Sequence, residues 1–151
     1  MIKWGWVPIL RAGVGFLFVA SGYLKLIEPY QNFLAVIYNY QFVAGWAARG
    51  AAIAIPWAEL VFGVFLLAGL WVRLAAGALW VLNTAFIGVI SSALIRKLPV
   101  KDCGCFGHSA VSLPLEKVLM LDVALWFVFL FLFIAARSDF AWSLDRYFSK
   151  S

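Results

Sequence analysis

Four long apolar stretches, separated by short polar ones, dominate the chain. They cover about residues 7–26, 51–70, 74–94 and 115–136. A membrane helix needs about 20 mostly apolar residues to cross a hydrocarbon core about 30 Å thick. The pattern therefore predicts four transmembrane helices. The connection at residues 71–73 is so short that the second and third spans must be antiparallel neighbours.

The segment between the first two spans, residues 27–50, has a different pattern. Glu28-Pro29 ends the first span, because a proline disfavours helical geometry in the residue before it. Apolar and aromatic residues then recur at helical spacing among polar ones: Tyr30, Phe33, Leu34, Ile37 and Tyr38. This spacing predicts a short helix lying in the membrane interface.

Composition supports a membrane location. Hydrophobic residues make up 66% of the chain, against about 45–50% in an average soluble domain. The net charge of +5 comes from Lys and Arg residues that mostly flank the apolar stretches, where they anchor to headgroups rather than bind nucleic acid. We therefore expect an all-α integral membrane protein: a single domain, residues 1–151, folded as a four-transmembrane-helix bundle with a short interfacial helix between spans one and two.

Several polar residues lie inside the predicted spans, where charge is costly. One face of the first span carries Arg11, Gly15, Phe18, Gly22 and Lys25, and one face of the second carries Pro56, Glu59, Gly63, Leu66 and Leu70. Glycines on such faces allow helices to approach closely. Arg11, at the opposite end of the first span from Lys25, is expected to be structural or to reach the headgroups.

The third and fourth spans add further polar residues: Asn83 near the middle of the third and Asp122 one or two turns into the fourth. The up-and-down topology brings Lys25, Glu59 and Asp122 toward the membrane face that carries the loop at residues 96–114. They can line one polar pocket beneath that loop. Alternatively, Lys25 and Glu59 form a structural ion pair and Asp122 pairs locally. Thr84, Gly88 and Ser92 also follow a small-xxx-small spacing on the third span.

The loop contains both cysteines of the chain, in the sequence KDCGCFGH at residues 101–108. Cys103 and Cys105 can bridge only with strained local geometry, which Gly104 makes feasible, and a strained, exposed disulfide is a good oxidant. His108 and Lys101 would favour the thiolate, and Asp102 would oppose it. Two alternatives remain: a metal site at Cys103, Cys105 and His108, which would lack zinc's usual fourth ligand, and two small residues in a tight turn.

These residues resemble a known family. The sequence DCGCFG at residues 102–107 is similar to the motif of the MauE proteins of methylamine utilisation, which belong to the wider DoxX-like group of four-span membrane proteins. The first span, with Arg11, Gly15, Phe18, Ser21-Gly22 and Lys25-Leu26, resembles that of DoxX-like proteins. The second span resembles theirs at Pro56, Glu59-Leu60, Gly63 and Gly69.

The resemblance implies a redox-associated role. It implies an exported thioredoxin-like or other redox partner, an extracytoplasmic cysteine loop, cytoplasmic termini and a bacterial-type plasma membrane. DoxX-like relatives are linked to quinone-coupled sulfur metabolism, so quinone is a candidate cofactor, although no quinone-binding motif is readable. Five basic residues on one side against six on the other leave the orientation undecided by charge.

Together these observations favour a membrane thiol–disulfide redox protein that supports the maturation of exported proteins. Cys103 and Cys105 would exchange, with His108 and Glu59 in the catalytic group, and Lys25, Glu59 and Asp122 would line the pocket below. The alternative is a non-catalytic accessory subunit of a respiratory or quinone-linked membrane complex. A small transporter that uses the buried charges ranks last, because four spans usually need oligomerisation to enclose a path.

Overall fold

The computed structural model describes residues 6–41, 45–98 and 114–135, and these ranges contain five α-helices. The helices are α1 (Val7–Ile27), α2 (Tyr30–Asn39), α3 (Trp46–Ala68), α4 (Val72–Ile95) and α5 (Leu115–Ala135). Helices α1, α3, α4 and α5 are long and apolar enough to cross a membrane. The predicted all-α fold with four spanning helices is therefore confirmed.

Local sequence signals explain the helix ends. Helix α1 stops where Glu28 becomes extended, at ψ 152°, immediately before Pro29. Helix α3 ends at Gly69, which adopts the left-handed conformation with φ 71° that glycine accepts most readily. Trp71, also left-handed at φ 46°, precedes α4. The chain thus reverses within three residues, and α3 and α4 are in contact, as the short connection predicted.

Helix α3 begins before the apolar stretch from which its span was predicted. That stretch starts at about residue 51, whereas the helix starts at Trp46 and includes Arg49 and Gly50. Arg49 is exposed, so the added turn carries a charge that suits the membrane surface. Backbone hydrogen bonds continue the helix beyond the end of the apolar stretch. The apolar pattern therefore locates the membrane-spanning part of a helix better than it locates the helix ends.

Helices α1 and α3 form the closest pair in the described bundle. A methyl group added at Gly22 would lie 2.7 Å from the carbonyl oxygen of Pro56, and one added at Gly63 would lie 2.9 Å from the backbone nitrogen of Val19. The backbones therefore touch where side chains are absent. The buried residues of the two helices include almost all of the two faces predicted from spacing.

Helix α2 packs on the bundle through a face that shares part of the apolar stripe noted in the sequence. Its buried residues are Phe33 and Val36, followed by Tyr40, whereas Tyr30 and Tyr38 are 47% and 41% exposed. Phe33 was part of the predicted stripe, but the two tyrosines lie at the outer surface. Amphipathic tyrosine rings suit the headgroup region, where a helix lying in the membrane interface would place them.

The two ends of the bundle differ. At one end, the ring of Trp6, just before α1, stacks on Phe131 of α5 with centroids 5.3 Å apart. At the other end, Val36 and Tyr40 share a cluster with Ile90 of α4 and Leu115 of α5. The segment at residues 99–113 therefore leaves α4 and enters α5 at the end of the bundle that carries α2.

Candidate functional site

A buried ion pair joins α1 to α3. The Lys25 Nζ donates hydrogen bonds to Oε1 and Oε2 of Glu59, at 2.7 and 2.8 Å, and to the Ser21 hydroxyl at 3.1 Å. Ser21 Oγ in turn donates to Glu59 Oε2 at 3.0 Å. Lysine has three N–H donors, and all three find acceptors here. The three side chains thus form a closed hydrogen-bonded cluster.

The surroundings of this cluster come from four helices. Lys25 is 3% exposed and Glu59 is 1% exposed. The Lys25 ammonium also lies 5.2 Å from the centroid of Phe33 on α2 and 5.5 Å from that of Phe86 on α4, distances at which a ring attracts a cation. The ion pair therefore ties α1 to α3 and gives α2 and α4 a common cation to pack against.

Asn83 and Asp122 form a second polar contact, between α4 and α5. The Asn83 Nδ2 donates to Asp122 Oδ1 at 3.3 Å, and both side chains are buried. Asn83 Oδ1 and Asp122 Oδ2 have no hydrogen-bond partner among the described residues. A buried polar atom without a partner costs about 1–3 kcal/mol, so this pair is only half satisfied.

A small cavity connects the two polar clusters. Its volume is about 20 Å³, and its polar wall consists of Ser21, Glu59 and Asp122. The rest of the wall is made of apolar side chains from α1, α4 and α5. A cavity of this size has room for about one water molecule. Of the three residues expected to line a polar pocket, Glu59 and Asp122 lie on the wall of this cavity and Lys25 does not. The contacts of the alternative, an ion pair of Lys25 with Glu59 and a local partner for Asp122, are present.

The cavity does not fit a quinone. A quinone ring needs several times the space of one water molecule, whereas the volume of this cavity is about 20 Å³. Groups of three or more metal-binding side chains are absent from the part of the chain that the structure describes.

Arg11 is buried at the other end of α1, at 6% exposed. A methyl group added at Gly69 would lie 2.5 Å from Arg11 Nη1, so the guanidinium packs against the C-terminal cap of α3. A helix C-terminus carries partial negative charge, which a cation stabilises. Of the two roles expected for Arg11, the structure favours the structural one over a position among the headgroups.

Comparison with known proteins identifies the family. The sequence model of the family described as methylamine utilisation protein MauE matches residues 5–142, nearly the whole chain. The chain belongs to the MauE family. The methylamine utilization protein MauE of Methylorubrum extorquens is 32% identical over 90 residues. That match covers 60% of this chain and 48% of the relative, so the chain matches about half of the relative's length. No solved structure matches.

The predicted site residues divide into two groups. Lys25, Glu59 and Asp122 lie around the ion pair and the cavity, whereas Cys103, Cys105 and His108 fall in the segment at 99–113, outside the described residues. The MauE family match includes that segment. The exchange role of the two cysteines stays a prediction, and so does the alternative of a metal site at Cys103, Cys105 and His108.

Sequence reasoning also missed partners of the site. Asn83 was expected only as a polar residue in mid-span, and the structure shows it to be the hydrogen-bond partner of Asp122. The sequence places Ser21 only in the family resemblance, whereas its hydroxyl bonds to both Lys25 and Glu59 in the structure. The available signal was spacing: Ser21 lies one helical turn before Lys25, on the same face.

Proposed function

We propose that this MauE family protein is a membrane thiol–disulfide exchange protein that serves methylamine utilisation. Cys103 and Cys105 are the exchanging pair, in an extracytoplasmic loop of the bacterial plasma membrane, and both termini are cytoplasmic. The observation that carries the proposal is the family match over residues 5–142, which includes the only two cysteines of the chain.

The exchange needs only a dithiol partner, for which an exported thioredoxin-like protein is the candidate. A partner thiolate attacks one sulfur of the Cys103–Cys105 disulfide, and a mixed disulfide forms as the other sulfur leaves as a thiolate. The second partner thiol then loses its proton and attacks the partner sulfur of the mixed disulfide. The loop cysteine in that bond leaves as a thiolate, and the partner is left oxidised. Two electrons and two protons pass from the partner dithiol to the loop pair, and the reverse direction is the same step run backwards.

The residues near the pair have supporting roles in this proposal. His108 and Lys101 favour the thiolate form of the leaving cysteine. Helix α2, Leu98 and Leu115 lie at the same end of the bundle, and Leu98 and Leu115 lie close to the two ends of the segment that carries the cysteines. Lys25 and Glu59 are held by each other and by Ser21, so they are better suited to fixing this end of the bundle than to touching a partner.

The test is the redox state of Cys103 and Cys105 in native membranes, trapped by acid quenching and alkylation and measured by intact mass. An oxidised fraction that changes when respiration is blocked supports the proposal. The Cys105→Ser variant should accumulate a mixed disulfide through Cys103, and the double Cys103→Ser/Cys105→Ser variant should abolish disulfide maturation of exported clients. Two thiols that stay reduced under every condition, with unchanged client maturation, would overturn it.

One observation favours the accessory-subunit alternative. Thr84 and Gly88 are exposed on α4, and a methyl group added at Gly88 would meet nothing within 4 Å. The open surface at Gly88 is of the kind on which another membrane helix packs. An accessory subunit should purify in a fixed ratio with a larger membrane complex and should keep its function when both cysteines are replaced by serine. An exchange protein should lose its function with that replacement.

A further inference from the structure

The side chains around the cavity do not balance in charge when each is in its usual ionised form. Lys25 contributes one positive charge, and Glu59 and Asp122 contribute one negative charge each. The Lys25–Glu59 pair neutralises itself through two short contacts between the ammonium and the carboxylate. Asp122 is left as the uncompensated charge in the apolar interior. An isolated buried charge acquires a counter-ion or a proton.

The hydrogen-bonding atoms around Asp122 point to the same need. Its Oδ1 accepts from Asn83 Nδ2, but its Oδ2 and the Asn83 Oδ1 have no partner among the described residues. Both of these atoms are acceptors, so they cannot bond to each other. One hydrogen on Asp122 Oδ2 would turn that atom into a donor for Asn83 Oδ1 or for a water molecule. A single proton thus removes both the charge and the mismatch.

The cavity supplies a place for exchange. Asp122 is 6% exposed, lines the cavity and faces Ser21 and Glu59 across a space of about 20 Å³. One water molecule in that space could bond to Asp122 on one side and to the Lys25 cluster on the other. The Glu59 oxygens already accept from Lys25 and Ser21, whereas Asp122 Oδ2 accepts from none of the described residues. The two carboxyl groups therefore have different roles.

We propose that Asp122 is a proton-binding site inside the bundle, that Asn83 positions its carboxyl group, and that Glu59 is the fixed counter-ion of Lys25. The ligand is one exchangeable proton, which reaches Asp122 through a water molecule in the cavity. The charged and polar groups that face Asp122 are Lys25 from α1, Glu59 from α3 and Asn83 from α4. The proposal rests on these intramembrane residues and holds whether or not the cysteines exchange disulfides.

Infrared spectroscopy of the full-length protein in lipid vesicles, at neutral pH, tests this site. A protonated carboxyl group has a carbonyl band that ionised carboxylates lack. We expect one such band, which shifts when aspartate carboxyl groups are labelled with ¹³C and when H₂O is replaced by D₂O. The Asp122→Asn variant should lose the band. The Glu116→Gln variant, an exposed carboxyl on the first turn of the same helix, should keep it.

The Asn83→Leu variant separates positioning from binding. It should retain the band at a shifted frequency, because the carboxyl group loses its amide partner, and this readout serves even if Asp122→Asn does not fold. The absence of any aspartate band at neutral pH would overturn the proposal. A second result would also overturn it: the parent protein shows no carboxyl band, Na⁺ raises its thermal stability at constant ionic strength, and Asp122→Asn abolishes that rise. The site would then bind a metal cation instead of a proton.

Discussion

Lys25 and Glu59 show how a charge is accommodated in a membrane helix. A single charge near the bilayer centre costs at least about 2.5–3.5 kcal/mol on insertion scales. Here each charge has its counterpart at 2.7 Å, and Ser21 bonds to both. The cost of burying them is offset only while both partners are present, because either one alone is an unpaired buried charge.

The Lys25→Met variant is therefore expected to be strongly destabilised. It keeps a long side chain but leaves the Glu59 carboxylate unpaired, which costs about 3–5 kcal/mol. Thermal or denaturant unfolding of the detergent-solubilised protein measures the change. Lys117→Met is the matched control, since Lys117 is exposed on α5, and it should shift the free energy of unfolding by no more than about 0.5 kcal/mol.

A double variant tests whether the pairing itself matters. Adding Glu59→Gln to Lys25→Met removes the unpaired charge and leaves an amide oxygen for the Ser21 hydroxyl. We expect it to recover at least half of the stability lost by Lys25→Met alone. Additive losses in the double variant would show that the two side chains act through packing rather than through their charges.

At the scale of the helix pair, glycines determine how closely α1 and α3 approach. Gly22→Ala would place a methyl group 2.7 Å from a backbone oxygen of Pro56 and 2.8 Å from the backbone nitrogen of Leu60, neither of which can rotate away. We expect a loss of about 1–3 kcal/mol from overpacking, measured by unfolding.

Gly13→Ala on the same helix is the control for this variant. A methyl group there meets nothing within 4 Å, so only the higher helix propensity of alanine remains, worth up to about 1 kcal/mol of stabilisation. Equal effects of the two substitutions would contradict the close α1–α3 contact.

A hydroxyl group takes part in the contact between α4 and α5. The Trp126 indole donates to Thr84 Oγ at 3.0 Å, and Thr84 donates to the Trp80 carbonyl at 2.8 Å. Thr84→Val keeps the shape but leaves the indole N–H without this acceptor, so we expect a loss of about 0.5–2 kcal/mol. Thr84→Ser retains the hydroxyl group and should stay within about 0.5 kcal/mol of the parent protein. If Thr84→Val is as stable as Thr84→Ser, the hydrogen bond from Trp126 does not contribute to stability.

The spanning helices could be predicted from the sequence because each one must be long enough and apolar enough to cross the bilayer without help from its neighbours. The buried faces of α1 and α3 also followed from spacing. Gly22 on α1 and Glu59 on α3 each lie at helical intervals from other small or polar residues of the same helix. The pairing of Asn83 with Asp122 could not be predicted, because these residues are 39 positions apart and their contact depends on how α4 and α5 rotate about each other.

At the scale of the whole molecule, the outer surface matches the apolar composition. The exposed side chains include large apolar residues on every spanning helix, such as Phe16 on α1, Val64 on α3, Val81 on α4 and Phe127 on α5. Polar residues buried inside the spans include Glu59, Asn83 and Asp122. This arrangement is the reverse of a soluble protein and suits a bundle surrounded by lipid.

The topology of this bundle yields the broadest prediction. Trp46 lies at the start of α3, at 88% exposed, and Trp71 lies just beyond its other end, at 60% exposed. If α3 spans the membrane, cysteines introduced at these two positions lie on opposite sides. Each is introduced singly into a Cys103→Ser/Cys105→Ser background, and a membrane-impermeant thiol reagent is added to intact spheroplasts and then to lysed ones.

With the proposed extracytoplasmic cysteine loop, Trp46→Cys should react in intact spheroplasts and Trp71→Cys only after lysis. The reason is that α2 and the start of α3 lie at the end of the bundle where residues 99–113 leave α4 and enter α5. The opposite labelling pattern would reverse the orientation and place the cysteines in the cytoplasm, which would remove exported partners from the proposed exchange. Labelling of both positions from one side would contradict the membrane-spanning role of α3 itself.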